Sequence, residues 1–225
     1  MTSSHSTPPT TLESPLEVTT SEWRAGDIYH LLTGLVIPRP IAWISTISDL
    51  GVANLAPHSF FNVMGYKPPI VAFCSSGHKD TLTNIIANGE FVVNIPTMGL
   101  VEAVNLSATD FPPDEDEIAW CGLTAVPSAL VAPPRVAEAP AHLECRHHET
   151  VTIGDMHIVL AQVVHIHIAE NVWQGGRVSA DLLDPVARLG GSAYAGLGEQ
   201  VSLPRRKWEA DLRNLSSGAR LDEST

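Results

Sequence analysis

The chain has 225 residues, enough for one domain with a sizeable hydrophobic core. Its 25 acidic and 13 basic residues give a formal net charge of -12, which argues against a nucleic-acid surface because such a surface needs clustered Lys and Arg. No apolar run reaches the roughly 18 residues of a membrane span. We therefore expect neither nucleic acid nor a membrane as a partner.

The cysteines and the two ends of the chain bear on its location and domain organisation. Cys74, Cys121 and Cys145 are far apart and form no CxxC pair, which favours reduced thiols in a cytoplasmic protein. Residues 1–20 are rich in Ser, Thr and Pro and lack the features of a secretory signal. We expect a flexible N-terminal segment at 1–20, one domain at 21–208 and a flexible polar tail at 209–225.

The first predicted elements are a helix and a β-hairpin. Apolar residues recur at helical spacing between Trp23 and Leu35. Two apolar runs follow between Leu35 and Asn62, and the turn residues from Ser48 to Gly51 separate them. Small polar residues interrupt these strands, so part of the hairpin is expected to face a sheltered polar ligand such as a cofactor. These residues are Ser45, Thr46, Asn54 and Ser59.

A strand, a polar loop, a short helix and another strand come next. The strand Ile70 to Cys74 follows two prolines, and the helix is predicted to have Asp80 as its N-cap and to end at Asn88-Gly89. The loop before the helix carries Ser75, Ser76, Lys79 and Thr81. Hydroxyls, an ammonium group and a helix N-terminus together favour a phosphate site. A capped helix in an ordinary surface loop explains the same residues.

An acidic run and a group of histidines are the candidate metal ligands of the chain. The acidic run Asp114 to Glu117 is expected to be a solvated loop, because adjacent carboxylates cannot all turn to one ion. Two further strands between Ala141 and Ile168 are predicted to form a hairpin that turns at Gly154-Asp155. His165 and His167 share one strand face and are able to bind a transition metal, but no third ligand has a matching spacing. We therefore predict no metal site.

The C-terminal part groups Arg188, Gly190 and Tyr194 in a glycine-rich segment. Glycines at this position favour close approach of the backbone to a flat ligand or a partner subunit. A loop that ends in a helix cap is the alternative.

The order of elements predicts the fold class. Six or more short β-runs with hairpin links and few helices indicate an antiparallel barrel or sandwich with α additions. The chain lacks the GxGxxG, GxxxxGK[ST], GxSxG and HExxH patterns. Rossmann, P-loop and familiar hydrolase assignments are therefore disfavoured.

Short motifs along the chain resemble a known family. They are IPRPIAWIST, the turn from Ser48 to Gly51, NLAPHSFFN, the Pro-Pro strand start, HKDTLTNI, GEFVVNI, LECR, GDMHIVLAQVV and RLGGSAY. Their order and spacing resemble the flavin reductase-like, FMN-binding split-barrel family, which includes flavoredoxin. The resemblance covers residues 25–206 and implies a mainly β fold, a Greek-key split β-barrel with a few short helices, in a homodimer that binds FMN.

The resemblance also implies roles for individual residues. Residues of the first hairpin would line the flavin ring and ribityl chain: Ser45, Thr46, Asn54, Ala56 and Ser59. Lys79, Asp80 and Thr81 would lie at the phosphate. Arg188, Gly190 and Tyr194 would close over the ring. His58, beside the ring-lining segment, is a candidate for substrate contact, and a structural role for it is equally compatible with the sequence.

The expected activity is that of an NAD(P)H-dependent flavin reductase. NADH or NADPH would pass a hydride to flavin N5, and a monooxygenase or another redox partner would receive the electrons. The alternative is an FMN-binding electron carrier that a protein partner reduces. A third hypothesis is a metal- or small-ligand-binding barrel that uses the face of His165 and His167.

Overall fold

Seven antiparallel strands form the main sheet in this computed structural model, which describes residues 16–208. The strands are β1 (Ala42–Ile47), β2 (Ala53–His58), β3 (Phe61–Tyr66), β4 (Pro69–Ser76), β5 (Glu90–Asn94), β6 (Ala141–Ile153) and β7 (Met156–Ile168). Their spatial order is β2-β1-β5-β6-β7-β4-β3. The expected tail 209–225 and residues 1–15 of the expected N-terminal segment lie outside the described residues.

The sheet is rolled into a barrel, as the link between its two edge strands requires. The edge strands β2 and β3 are joined by only Ser59 and Phe60. A flat sheet of seven strands would hold its edges about 29 Å apart, whereas this link spans at most about 11 Å between the Cα atoms it joins. The edges therefore meet, and the barrel is split where β2 and β3 lie side by side without a ladder. The predicted split β-barrel is confirmed.

The remaining elements are short. The helices are α1 (Ala25–Leu35), α2 (Asp80–Asn88), α3 (Val101–Leu106), α4 (Glu117–Trp120) and α5 (Ala180–Leu183), with 3-10 turns at Thr20–Glu22, Met98–Leu100 and Glu170–Val172. Two-residue strands pair outside the barrel: Arg39–Pro40 with Ala187–Arg188 and then Tyr194–Ala195, Ala125–Val126 with Arg135–Val136, and Trp173–Gln174 with Arg177–Val178. Within residues 16–208, every helix is too short or too polar to cross a bilayer.

Both predicted hairpins form, and glycine closes each turn. Gly51 has φ of 80° at the end of the first turn, where the Val52 N–H donates to Ser48 Oγ at 3.1 Å. Gly154 has φ of 57° between β6 and β7. Both angles lie in the left-handed region that glycine tolerates without steric cost. The local sequence thus fixes where each of these two hairpins turns.

Strand β1 is buried on both faces, because two cores lie against it. Ala42 and Ile44 point into the barrel, where they pack with side chains such as Phe73 and Phe91. Trp43 points the other way into a second core, which α3 and α4 cover. The Trp43 indole N–H donates to Ser107 Oγ at 2.8 Å, so the buried indole is satisfied.

Helix α2 differs from the prediction at its start. It begins at Asp80 with Lys79 in the N-cap position, so the predicted N-cap at Asp80 is wrong. Leu82 and Ile85 are fully buried against the barrel, but Ile86 is largely exposed. The helix ends at Gly89, whose φ of 72° confirms the predicted left-handed terminus.

Candidate functional site

A cavity of about 610 Å³ opens beside the split in the barrel. Its walls come from the end of β2, the Ser59–Phe60 link, the end of β4, the start of α2 and the loop after α3. The sequence-predicted residues that line it are Asn54, Ala56, His58, Ser59, Lys79, Asp80 and Thr81. Cys74 also lines it, and burial raises the pKa of this thiol, so it stays protonated at neutral pH. The structure thus brings most of the predicted ring and phosphate residues to one cavity.

The start of α2 is a polar end of this first cavity. The Lys79 side chain makes no capping hydrogen bond, so the first backbone N–H groups of α2 are available to donate to a ligand. Lys79 Nζ lies 2.7 Å from Asp110 Oδ1, and this pairing holds the pKa of the Asp110 carboxyl below its usual value. Thr81 is buried, and its Oγ1 accepts a hydrogen bond from Asn54 Nδ2 at 3.0 Å. The helix terminus, the ammonium group and the free hydroxyl hydrogen of Thr81 form a donor set suited to an anion.

His58 lines the first cavity and has a buried ring nitrogen that is unsatisfied within the described chain. Its Nδ1 lies 3.4 Å from the carbonyl oxygen of Cys74, and its Nε2 is buried with no hydrogen-bond partner in the described chain. A carbonyl only accepts, so Nδ1 carries the proton and Nε2 is an acceptor. Burial lowers the pKa of His58 to about 4, and the nearby charge of Lys79 adds to this effect. The ring is neutral at pH 7 and offers one unused acceptor.

Glu117 is a buried acid in the same cavity, and the prediction of a fully solvated acidic run is wrong at this residue. It is 6% exposed and accepts a hydrogen bond from the backbone N–H of Leu55. Burial raises its pKa to about 7, with further contributions from the charges of Asp80 and Asp116, while the hydrogen bond from Leu55 opposes the rise. The group therefore exchanges a proton near neutral pH.

Glu117 was not predicted as a site residue because it follows three other acidic residues, and such a run is typical of a solvated loop. The available signal was its position directly before the apolar Ile118 at the start of α4, where Asp116 caps the helix by accepting from the Ala119 N–H at 3.0 Å.

Ser45 and Thr46 do not reach the first cavity. Both are fully buried and use their hydroxyls inside the protein. Thr46 Oγ1 accepts from Asn84 Nδ2 at 3.0 Å, and Ser45 Oγ accepts from Asn94 Nδ2 at 3.1 Å. These hydrogen bonds fix β1 to α2 and β5, so the two hydroxyls support the hairpin behind the cavity wall.

A second cavity of about 400 Å³ adjoins the first. The two share Tyr29, Pro57, Ser59 and Ala108 as lining residues. Arg188 and Tyr194 line the second cavity, and the guanidinium carbon of Arg188 lies 4.4 Å from the centroid of the Tyr194 ring. The predicted C-terminal pair is therefore close to the hairpin residues, but in the neighbouring cavity.

Gly190 and Arg39 support the second cavity in different ways. A Cβ atom on Gly190 would lie 3.4 Å from Gly34 Cα, so this glycine allows the C-terminal segment to pack against the end of α1. Arg39 is buried and lines the cavity, although sequence reasoning gave it no role. Its signal was a charged residue between two prolines in an apolar stretch.

The histidine-rich hairpin forms a hydrogen-bond network of its own. The rings of His165 and His167 are 4.6 Å apart, and His167 Nε2 lies 2.6 Å from Glu144 Oε1. The Glu144 carboxylate also accepts from the backbone N–H groups of Ala129 and Leu130. Across residues 16–208, no group of three or more His, Cys, Asp or Glu side chains is arranged to hold a metal ion.

Comparisons with known proteins agree with this architecture. Nitrilotriacetate monooxygenase component B from Bacillus cereus is 37% identical, with a TM-score of 0.81 over 85% of this chain and 100% of that one. The 2-nitrobenzoate 2-nitroreductase NbaA of Pseudomonas fluorescens is 32% identical, with a TM-score of 0.80 over 86% and 98%. An uncharacterised protein of Halalkalibacterium halodurans is 41% identical over 79% of this chain and 90% of its own length.

Most of the chain matches one protein family. Residues 34–180 match the family described as "Flavin reductase like domain". This range contains both hairpins, helix α2 and most of the first cavity. The resemblance drawn from the sequence motifs is confirmed, and the chain belongs to the flavin reductase like domain family.

Proposed function

We propose that the first cavity binds FMN and that the protein is an NAD(P)H-dependent flavin reductase. The observation that carries this proposal is the combination, in one cavity of about 610 Å³, of an uncapped helix N-terminus with Lys79 and of an unused acceptor on His58. The volume is within the range of roughly 300–1,000 Å³ that small-molecule sites occupy. The cavity thus fits a ligand with an anionic end and a hydrogen-bonding ring.

Residues at the start of α2 would hold the phosphate. Lys79 supplies a full positive charge, and the first amide groups of α2 supply donors aligned with the helix dipole. Thr81 adds a hydroxyl hydrogen, since its oxygen already accepts from Asn54. Asp110 competes for Lys79 and must yield part of that contact when an anion binds.

Residues at the end of β2 would position the ring. His58 Nε2 would accept a hydrogen bond from an N–H of the ring, and the small side chains of Ala56 and Ser59 leave room beside it. Bound FMN supplies the two-electron chemistry that amino-acid side chains lack, with nicotinamide as the hydride donor to flavin N5. Glu117, with a pKa of about 7, holds a proton beside this wall near neutral pH.

The adjoining cavity favours a reductase over a pure electron carrier. A carrier that a protein partner reduces needs only an exposed flavin edge, whereas a reductase must admit a second small molecule next to the flavin. The second cavity of about 400 Å³ shares walls with the first and provides such a space.

The exposed face of β3 supports a homodimer. Val63, Met64 and Tyr66 are 64%, 58% and 91% exposed on an edge strand, and Leu35 at the end of α1 is 77% exposed. A group of exposed apolar side chains is a typical association surface. We propose that this face forms the dimer contact, and that reduced flavin or its electrons pass to a monooxygenase or another redox partner.

The proposed location is the cytoplasm. Cys74, Cys121 and Cys145 are all free thiols. Free thiols persist in a reducing compartment.

The visible spectrum of the purified protein tests the function. We expect flavin bands that bleach when NADH or NADPH is added without oxygen, and FMN that binds more tightly than riboflavin. Bands that resist both nucleotides but bleach with dithionite would instead favour the electron carrier. A colourless protein that fails to bind added FMN would refute the proposal.

A further inference from the structure

Arg39 is a buried cation whose partners are all neutral. The residue is 6% exposed, and its guanidinium donates to the carbonyl oxygens of Thr33 at 2.6 Å and Leu189 at 2.9 Å. It also donates to the Val36 carbonyl at 2.9 Å and to Ser59 Oγ at 3.3 Å. Carbonyl and hydroxyl dipoles satisfy the hydrogen bonds but do not neutralise the charge, so burying this cation remains costly.

A second arginine lies directly opposite Arg39. In the short ladder of Arg39–Pro40 and Ala187–Arg188, Arg39 is the register partner of Arg188. Opposed residues of an antiparallel pair have Cβ atoms about 4.5–5.5 Å apart, and like charges at this spacing repel. Neither arginine belongs to any of the four ion pairs in the described part of the chain, which involve Arg24, Lys79, Arg146 and His167.

The cavity that these arginines share is basic, although the protein is acidic. Arg39, Arg188 and His30 line it, and no Asp or Glu does. The whole chain has 25 acidic and 13 basic residues, so an acid-free cavity with two arginines is a local reversal of the overall charge. Two unpaired positive charges at a concave surface focus the electrostatic field on that space.

Arg188 retains donors for a ligand. Its Nη2 donates to the Gly191 carbonyl at 2.7 Å, which leaves Nε and Nη1 without a hydrogen bond among residues 16–208. The ring of Tyr194 holds the guanidinium plane in place from one side. A fixed guanidinium with free N–H groups is suited to two-point binding of a carboxylate or a phosphate.

We infer that the second cavity is an anion site, which binds a carboxylate or phosphate group on the ring-bearing small molecule that reacts with the flavin. Such an anion would lie between two cations that otherwise repel each other. The rings of Tyr29 and Tyr194 provide flat surfaces for the rest of that molecule, and the shared wall at Ser59 leads towards the first cavity. The identity of the neighbour as a flavin rests on the proposed function, but anion binding does not.

Calorimetric titration of the FMN-loaded protein tests the site. We use benzoate as the carboxylate probe, inorganic phosphate as the phosphate probe and benzyl alcohol as an uncharged ring of similar size. We expect saturable binding of at least one anion and none of benzyl alcohol, and the tighter anion identifies the preferred group. Arg188→Gln should weaken this binding about tenfold or more through loss of charge-assisted hydrogen bonds. Arg188→Lys should keep part of it.

The control variant is Arg177→Gln, because Arg177 is exposed on the separate hairpin Trp173–Gln174 with Arg177–Val178. It should bind both anions as the unmodified protein does, and thermal melting of each variant verifies folding. The inference is overturned if the unmodified protein binds neither anion, or if Arg188→Gln binds them equally well. It is also overturned if Arg188→Gln loses affinity for FMN but not for riboflavin, because the flavin phosphate would then occupy the second cavity.

The two proposals fail separately. The protein could bind an anion through Arg188 and yet not bind FMN. That result would support the anion site and refute the flavin reductase. FMN reduction in a protein that binds neither anion would support the flavin reductase and refute the anion site.

Discussion

The carboxyl group of Glu117 accepts a hydrogen bond from the backbone N–H of Leu55, and so joins helix α4 to strand β2 at the first cavity. The acceptor is a buried acid whose pKa is raised to about 7, mainly by burial. One titratable group thus lies both in the wall of the cavity and in the contact that holds this wall together.

Glu117 should make the protein less stable as the pH rises from about 5 to 8. Its folded-state pKa of about 7 exceeds the ordinary value of 4.5, so the folded chain binds the proton more tightly than the unfolded chain. The stabilisation is complete below the unfolded pKa and is lost as pH rises through the folded pKa. Glu117→Gln keeps an uncharged acceptor and should raise the unfolding free energy at pH 8 by about 1–2 kcal/mol, a figure reduced for solvent screening.

Urea unfolding at pH 5, 6, 7 and 8 measures this dependence. Glu149→Gln, which removes an exposed carboxylate outside the cavity, is the control variant. An equal slope in Glu117→Gln and the unmodified protein would show that Glu117 titrates normally.

His58 should act in the opposite direction at lower pH. Its pKa is lowered to about 4 by burial, so the unfolded chain binds the proton more tightly and stability is lost as pH falls from about 6.5 to 4. Asn at this position keeps a donor for the Cys74 carbonyl but cannot be protonated. We expect His58→Asn to lose less unfolding free energy than the unmodified protein between pH 6.5 and 4. A larger loss in the variant would contradict the neutral, buried histidine.

Lys79 and Asp110 should change FMN affinity in opposite directions. Lys79→Gln removes the charge-assisted hydrogen bond that we propose between Lys79 and the phosphate, and should weaken FMN binding by about 1–3 kcal/mol. Asp110→Asn removes the carboxylate that pairs with Lys79 at 2.7 Å and should strengthen it. Quenching of flavin fluorescence measures both, with riboflavin as the ligand that lacks the phosphate.

Lys67→Gln is the control for charge, because Lys67 is exposed on the turn between β3 and β4. The phosphate assignment fails if Lys79→Gln affects riboflavin and FMN equally, or if Asp110→Asn weakens FMN.

The exposed apolar side chains of β3 should control the oligomeric state. Met64→Glu with Tyr66→Glu places two charges on the proposed contact, where burial without partners is strongly unfavourable. We expect the unmodified protein to sediment as a dimer and the double variant as a monomer. Ile153→Glu, at an exposed apolar position on the β6–β7 hairpin, should remain dimeric. An unmodified protein that sediments as a stable monomer would refute the dimer.

Local patterns predicted the elements well, because each signal was contained within a few residues. The turn at Gly51, the end of α2 at Gly89 and the turn at Gly154 all have the positive φ that their sequence context indicated. The grouping of Lys79 and Thr81 at the start of α2 also followed from the local sequence, since these residues directly precede or begin the helix.

Contacts between distant segments were not predictable in the same way. Alternation places Ser45 and Asn54 on strand faces, but only the rolled sheet decides that Asn54 lines the cavity while Ser45 is enclosed. The pairing of Arg39 with Arg188 joins the two ends of the domain and has no local signal. The burial of Glu117 depends on its contact with β2, which the composition of its own loop conceals.

The Ser59–Phe60 link joins the edges of the barrel, and Ser59 also borders both cavities. In this link, Ser59 Oγ accepts a hydrogen bond from Arg39, and the Phe60 carbonyl accepts one from the Cys74 N–H at 2.9 Å. Ligands bound in the two proposed sites would therefore contact the same short segment of backbone. Any change that one ligand causes in the affinity of the other must be matched by an equal reciprocal change. Hydrogen exchange at the Cys74 amide would report on how firmly its hydrogen bond to the Phe60 carbonyl is held when a ligand is added.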